Sequence, residues 1–193
     1  RRRFACGQDV WRMINTDKFL SRAGESMRES AIRKMGTVLA DARDMVSFAP
    51  GYPSETAFPW DDFRAIADDL LSSRLAPVLQ YGATRGYRPL LEVLASIMAE
   101  RGIVTAPERL TVTNGSQQGL DLLARVLLDP GDVVLMGLPS YTGAIAAFRG
   151  VGADLVGVAQ QFDGLDLEAL DATLQRLRAD GRRVKFLYLV PNN

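Results

Sequence analysis

Short, continuously apolar runs alternate with stretches of helical period through the second half of this 193-residue chain. Leu110 to Thr113, Val133 to Met136, Leu155 to Val158 and Val184 to Val190 read as strands. Gln117 to Leu128, Thr142 to Arg149 and Leu167 to Ala179 read as the helices between them, with turns at Asp129-Pro130-Gly131 and Asp163-Gly164. Single helices of this length between strands act as crossovers, so the pattern predicts an α/β fold with a mainly parallel sheet. Runs such as Val-Val-Leu-Met and Phe-Leu-Tyr-Leu-Val have no polar face, which suits strands covered by helices on both sides. The expectation is therefore a three-layer arrangement.

The first half is less regular. Residues 9–42 carry apolar positions at roughly helical spacing and predict two helices parted near Gly24. Asp44 to Pro53 reads as a short extended piece ending in the turn-rich Pro50-Gly51-Tyr52-Pro53. Trp60 to Arg74 predicts a helix with Asp61 and Asp62 in its first turn and Phe63, Ile66, Ala67, Leu70 and Leu71 on one face. After a loop at Gln80 to Gly86, Pro89 to Arg101 predicts another, stopped by Gly102. No repeat or low-complexity tract interrupts the series.

Composition narrows the chemistry mainly by exclusion. Lysine plus arginine and aspartate plus glutamate both number 23, so no charge excess suggests a nucleic-acid partner. Histidine is absent, which removes Ser-His-Asp and Cys-His catalysis and any histidine-ligated metal site; no metal is expected. A single cysteine, Cys6, precludes an internal disulfide and fits a reducing, cytoplasmic setting. No apolar run approaches the ~20 residues of a membrane span, and the Arg1–Arg3 start lacks the apolar core of a secretory signal.

The segment richest in chemistry is Thr113-Asn114-Gly115-Ser116-Gln117, where a β-branched run turns directly into a helix. First-turn N–H groups of a helix lack intrahelical partners and face outward at the positive end of the dipole. With Gly115 admitting close approach, and with Ser116 and Gln117 adding a hydroxyl and an amide, this is a phosphate cradle; an N-capped helix without ligand is the other reading. In a parallel sheet, ligands sit beyond the C-terminal strand ends. That edge also receives Pro139-Ser140-Tyr141 and Pro191-Asn192-Asn193, and Tyr141 could stack on a heteroaromatic ring.

The order of motifs resembles the N-terminal half of fold-type I aminotransferases that use pyridoxal 5′-phosphate (PLP), in the α-aminoadipate/kynurenine branch. The resemblance runs from about Phe19 to Asn193. It rests on Ser47 to Pro53 with Phe58-Pro59, Leu79-Gln80-Tyr81 with Gly86, Thr113 to Leu120, Asp129 to Asp132, Pro139 to Gly143, and Leu187 to Asn192. It implies an N-terminal arm with part of a small domain over 1–53, and the first part of the PLP-binding large domain over 54–193. It assigns Ser116 and Gln117 to the cofactor phosphate, Tyr141 to the ring, and Tyr81 to the cofactor or substrate of a homodimeric partner. Gly51 and Arg33 would line the substrate site.

The lysine that holds the cofactor aldehyde as a Schiff base is expected beyond Asn193, so no catalytic residue is assigned within this chain. Lys185 starts its strand at the edge opposite the cradle, ~20 Å away at ~3.3 Å per residue. The chain is thus read as part of a longer protein. The implied reaction is amino transfer from 2-aminoadipate or an aromatic or branched amino acid to a 2-oxo acid such as 2-oxoglutarate. Gly137-Leu138 stands where this branch commonly carries acidic residues, which leaves the substrate open. The alternatives are the effector domain of a MocR-type transcription regulator, and a PLP lyase or decarboxylase on the same fold.

Overall fold

The computed structural model describes residues 17–26, 51, 53–74 and 76–191. In chain order its helices are α1 (Arg22–Ser26), α2 (Trp60–Ser72), α3 (Ala76–Leu79), α4 (Arg88–Glu100), α5 (Gly115–Leu127), α6 (Thr142–Gly150) and α7 (Leu167–Ala179). The strands are β1 (Val133–Leu138), β2 (Asp154–Gln161), β3 (Gly164–Leu165) and β4 (Val184–Tyr188). Two compact units are present, one from the described parts of Arg1–Ser30 and Gly115–Asn193, the other from those of Ala31–Asn114.

The first unit holds the sheet, in the order β3-β2-β1-β4. β1 pairs in parallel with β2, from Val133 opposite Asp154 to Leu138 opposite Ala159, and in parallel with β4, with a register shift between Val133 and Val134. Val133 to Met136 are each at most 2% exposed, and their side chains alternate between two cores. Val134 and Met136 pack with Ala124 and Leu128 and with Ala144, Ala147 and Phe148 of α6. Val133 and Leu135 pack with Val158 and with Leu177 of α7. The sheet is covered on both faces, as its unbroken apolar strands predicted. Phe148 organises the first core, standing edge-on to Phe186 and Tyr188 with centroids 5.5 and 5.6 Å away.

Three expectations are corrected. The run 110–113 is extended but joins no ladder among the described strands; the Val112 N–H donates to the Arg85 carbonyl at 2.8 Å. The expected turn at Asp163-Gly164 is part of a hairpin: Phe162-Asp163 form its tip, and Gly164 opens the two-residue β3, which pairs antiparallel with β2. α1 passes through Gly24 without a break there; the remainder of that predicted helical region lies outside the described residues.

The unit from Ala31–Asn114 contains α2 and α4, close to their expected limits. α2 has its apolar stripe, but Phe63, Ile66 and Leu71 are each more than half exposed. α4 has Pro89 in its first turn and ends before Gly102, whose φ is +80°. Gly86 cannot be replaced without strain: its φ is +116°, and a Cβ there would lie 2.9 Å from Val112 Cγ2. Arg88 bridges Glu92 at 2.7 Å and Glu108 at 2.6 Å, joining α4 to the following turn.

At the N-terminal edge of the sheet, Lys185 Nζ lies 3.0 Å from both Asp132 Oδ2 and the Leu127 carbonyl, the last residue of α5. Asp132 also accepts from the Asp129 N–H at 2.8 Å. The Asp129 N–H holds the Asp132 carboxyl below its ordinary 3.8, with the Lys185 ammonium adding to the effect and burial opposing it. A depressed carboxyl stabilises the fold above its unfolded value and loses that contribution as pH falls through its folded value. Asp132→Asn should therefore lower Tm at neutral pH and narrow its gap to the unsubstituted protein below about pH 4, in melts recorded against pH. Phe148→Ala should cost about 3–5 kcal/mol in denaturant unfolding.

Candidate functional site

The C-terminal edge of β1 brings two helix starts together. α5 begins at Gly115, whose φ of +74° lets the chain turn straight into a helix. The helix starts two residues earlier than its apolar period indicates, so Ser116 and Gln117 stand in its first turn and both are exposed. α6 follows β1 through Pro139 and Ser140, with Tyr141 as its N-cap residue at φ −70° and ψ 121°. The Tyr141 carbonyl accepts from the N–H groups of Ala144 at 3.1 Å and Ile145 at 3.2 Å.

The Gln117 side chain links the two starts: its Nε2 donates to the Gly143 carbonyl at 3.0 Å. A Cβ at position 143 would fall on the Gln117 amide oxygen and on the edge of the Tyr141 ring. Two positive helix ends and the exposed Ser116 hydroxyl thus meet at this edge.

Polar groups nearby are poorly satisfied. Ser140 Oγ and Gln160 Oε1 are buried and have no hydrogen-bond partner among the described residues. Buried polar atoms in native folds are nearly always paired, so the Ser140 hydroxyl, one residue before the N-cap, stands out. Gly137 provides the room in which Gln160 sits, since a Cβ there would lie 2.9 Å from Gln160 Oε1 and 2.7 Å from Leu189 Cδ2. Tyr188, at the end of β4, has its phenol pushed up first by burial and then by the neighbouring Tyr141.

Ser116, Gln117 and Tyr141 are thus brought to one edge, as their sequence positions implied. Tyr81 and Gly51 belong to the other unit: Tyr81 is fully exposed, with its N–H donating to Gln80 Oε1 at 2.8 Å, and Gly51 is exposed at φ +60°. Arg33 lies outside the described residues. Lys185 is held by Asp132 and the Leu127 carbonyl at the opposite edge of the sheet. Ser140, Gly143 and Tyr188 stood inside recognised motifs without an assigned role. Only Gly143 carried a readable signal, because a glycine in a first helical turn destabilises the helix and so points to a packing reason. Among the described residues no helix is long and apolar enough to cross a membrane.

Comparison with known proteins places this geometry. Residues 43–191 match the family of class I and II aminotransferases, and the chain belongs to that family. It is 34% identical over 179 residues to aromatic-amino-acid aminotransferase 1 of Thermococcus litoralis, covering 92% of this chain and 43% of the relative. It is 38% identical over 166 residues to 2-aminoadipate transaminase of Thermus thermophilus, covering 86% and 39%. The structure superposes on the kynurenine aminotransferase of Pyrococcus horikoshii with a TM-score of 0.82 at 33% identity, over 92% of this chain and 44% of that one. That protein was solved in complex with PMP, with KYN as substrates and KYA as products. The chain spans less than half the length of these relatives. Its described part carries the α/β fold of PLP-dependent aminotransferases, as a partial domain.

Proposed function

We propose that the protein containing this chain is a PLP-dependent aminotransferase, and that the edge formed by Ser116, Gln117, Ser140 and Tyr141 receives the cofactor. The observation that carries this reading is the pair of helix starts joined by the Gln117–Gly143 hydrogen bond, with an orphaned hydroxyl beside them. The donor set fits a phosphorylated aromatic group: first-turn N–H groups and the Ser116 hydroxyl suit phosphate oxygens, and the Tyr141 ring suits a flat heteroaromatic face. When bound, PLP supplies the electron sink through which an amino group leaves an amino acid and is passed to a 2-oxo acid.

In this reading the chain's own groups bind and orient. The helix starts neutralise the phosphate dianion, and Tyr141 limits where the ring can lie. Ser140 gains the partner it lacks, from a polar atom of cofactor or substrate. Tyr81 serves the cofactor or substrate of a homodimeric partner, and Gly51 and Arg33 serve the substrate. The substrates are drawn from 2-aminoadipate, aromatic and branched amino acids, with 2-oxoglutarate as acceptor, in a cytoplasmic setting. Lys185 takes no part as the cofactor's lysine, because its ammonium is already paired beneath the sheet.

Incubation of the complete protein with PLP, an amino acid panel and 2-oxoglutarate should yield glutamate. Ammonia or CO₂ release instead would favour a lyase or decarboxylase, and retention of PLP without turnover would favour an effector domain. Ser116→Ala should raise the Kd for PLP by about tenfold, as expected for one hydrogen bond to a charged group, without a matching loss of Tm. Borohydride reduction of the PLP-loaded protein followed by peptide mapping should label a lysine other than Lys185. A label on Lys185 would refute the edge assignment.

A further inference from the structure

We infer that Gly143 is a positioning residue, whose missing side chain lets the Gln117 amide and the Tyr141 ring seat together and so holds the two helix starts in register for the cofactor. The inference rests on the cofactor reading for its purpose, but not for its geometry. Gly143 stands in the first turn of α6, where its carbonyl accepts from Gln117 Nε2 at 3.0 Å. Its Cα faces the Gln117 Oε1 atom and the Cε1–Cζ edge of the Tyr141 ring closely enough that no Cβ would fit between them. One glycine therefore meets both candidate groups at once, through its carbonyl and through its open side.

The obstructing atoms decide what a substitution would do. Gln117 Oε1 is the far end of a flexible, exposed side chain, and the Tyr141 ring is partly exposed, so both can swing aside. A Cβ at 143 would displace the latch and turn the ring without disturbing the buried core of Ala144, Ala147 and Phe148. Helix propensity predicts the opposite local effect. Glycine is a poor helix former and alanine the best, so Gly143→Ala should tighten the first turn of α6 if position 143 were merely helical. The sign of the local change separates the two accounts.

The experiment compares Gly143→Ala, Gln117→Ala and the double variant in the complete protein. Two quantities are read: amide exchange at Ala144 and Ile145 without cofactor, and the Kd for PLP. The latch predicts roughly several-fold faster exchange at both amides in each single variant, with Tm near that of the unsubstituted protein. It also predicts a PLP Kd about tenfold higher, and a double variant no worse than either single one. Slower or unchanged exchange in Gly143→Ala, or additive effects in the double variant, would overturn the proposal. Should Gly143→Ala fail to fold, Gln117→Ala alone still decides, because unchanged exchange in that variant excludes the latch. Faster exchange in a protein that takes up no PLP would support the latch and reject the cofactor reading instead.

Discussion

Burial of β1 on both faces is the constraint from which the rest of the sheet-bearing unit follows. Four consecutive residues, Val133 to Met136, are almost wholly removed from solvent. Their alternating side chains commit α5 and α6 to one side and α7 to the other. Its two partners, β2 and β4, both run parallel to it, and parallel neighbours are reached by crossovers. The crossover through α6 in turn fixes where β1 releases the chain. Pro139 to Tyr141 emerge at the C-terminal edge, beside the start of α5.

The two edges of the sheet are built with opposite electrostatics. At the N-terminal edge, Lys185 supplies a full cation to the carbonyl end of α5 and to Asp132, and the site closes on itself. At the C-terminal edge stand the positive, N-terminal ends of α5 and α6. The Gln117 amide is spent on the link between the two helices. The proposed phosphate site lies at this edge, where helix N-termini favour an anion.

The neighbouring unit shows how a motif glycine can be structural. Gly86 admits Val112 against the backbone, and the Arg85 carbonyl takes the Val112 N–H. The β-branched composition of the run 110–113 marked it as extended, which it is, but extension and sheet membership are different properties. Pairing depends on which backbone lies alongside, and composition carries no record of that.

Much of the architecture was legible because burial leaves a periodic trace. Continuous apolar runs reported strands covered on both faces, and turn residues at Asp129 to Gly131 reported where a helix gave way to a strand. Ser116, Gln117 and Tyr141 could be named from their motifs, since local chain direction places them at a strand or helix end. The hairpin at Gly164, the orphaned Ser140 hydroxyl, the Gly143 clearance and the Tyr188–Tyr141 neighbourhood were not legible. Each depends on which backbone or side-chain atoms come close or are shut off from solvent; the helical glycine at 143 hinted at a packing reason but not at its partners. Sequence alone determined the layers, the crossovers and the candidate cradle, because these arise from hydrophobic period and turn chemistry. Tertiary structure decided that Gln117 reaches Gly143 and that Lys185 is occupied, because only packing sets which groups come within hydrogen-bonding range.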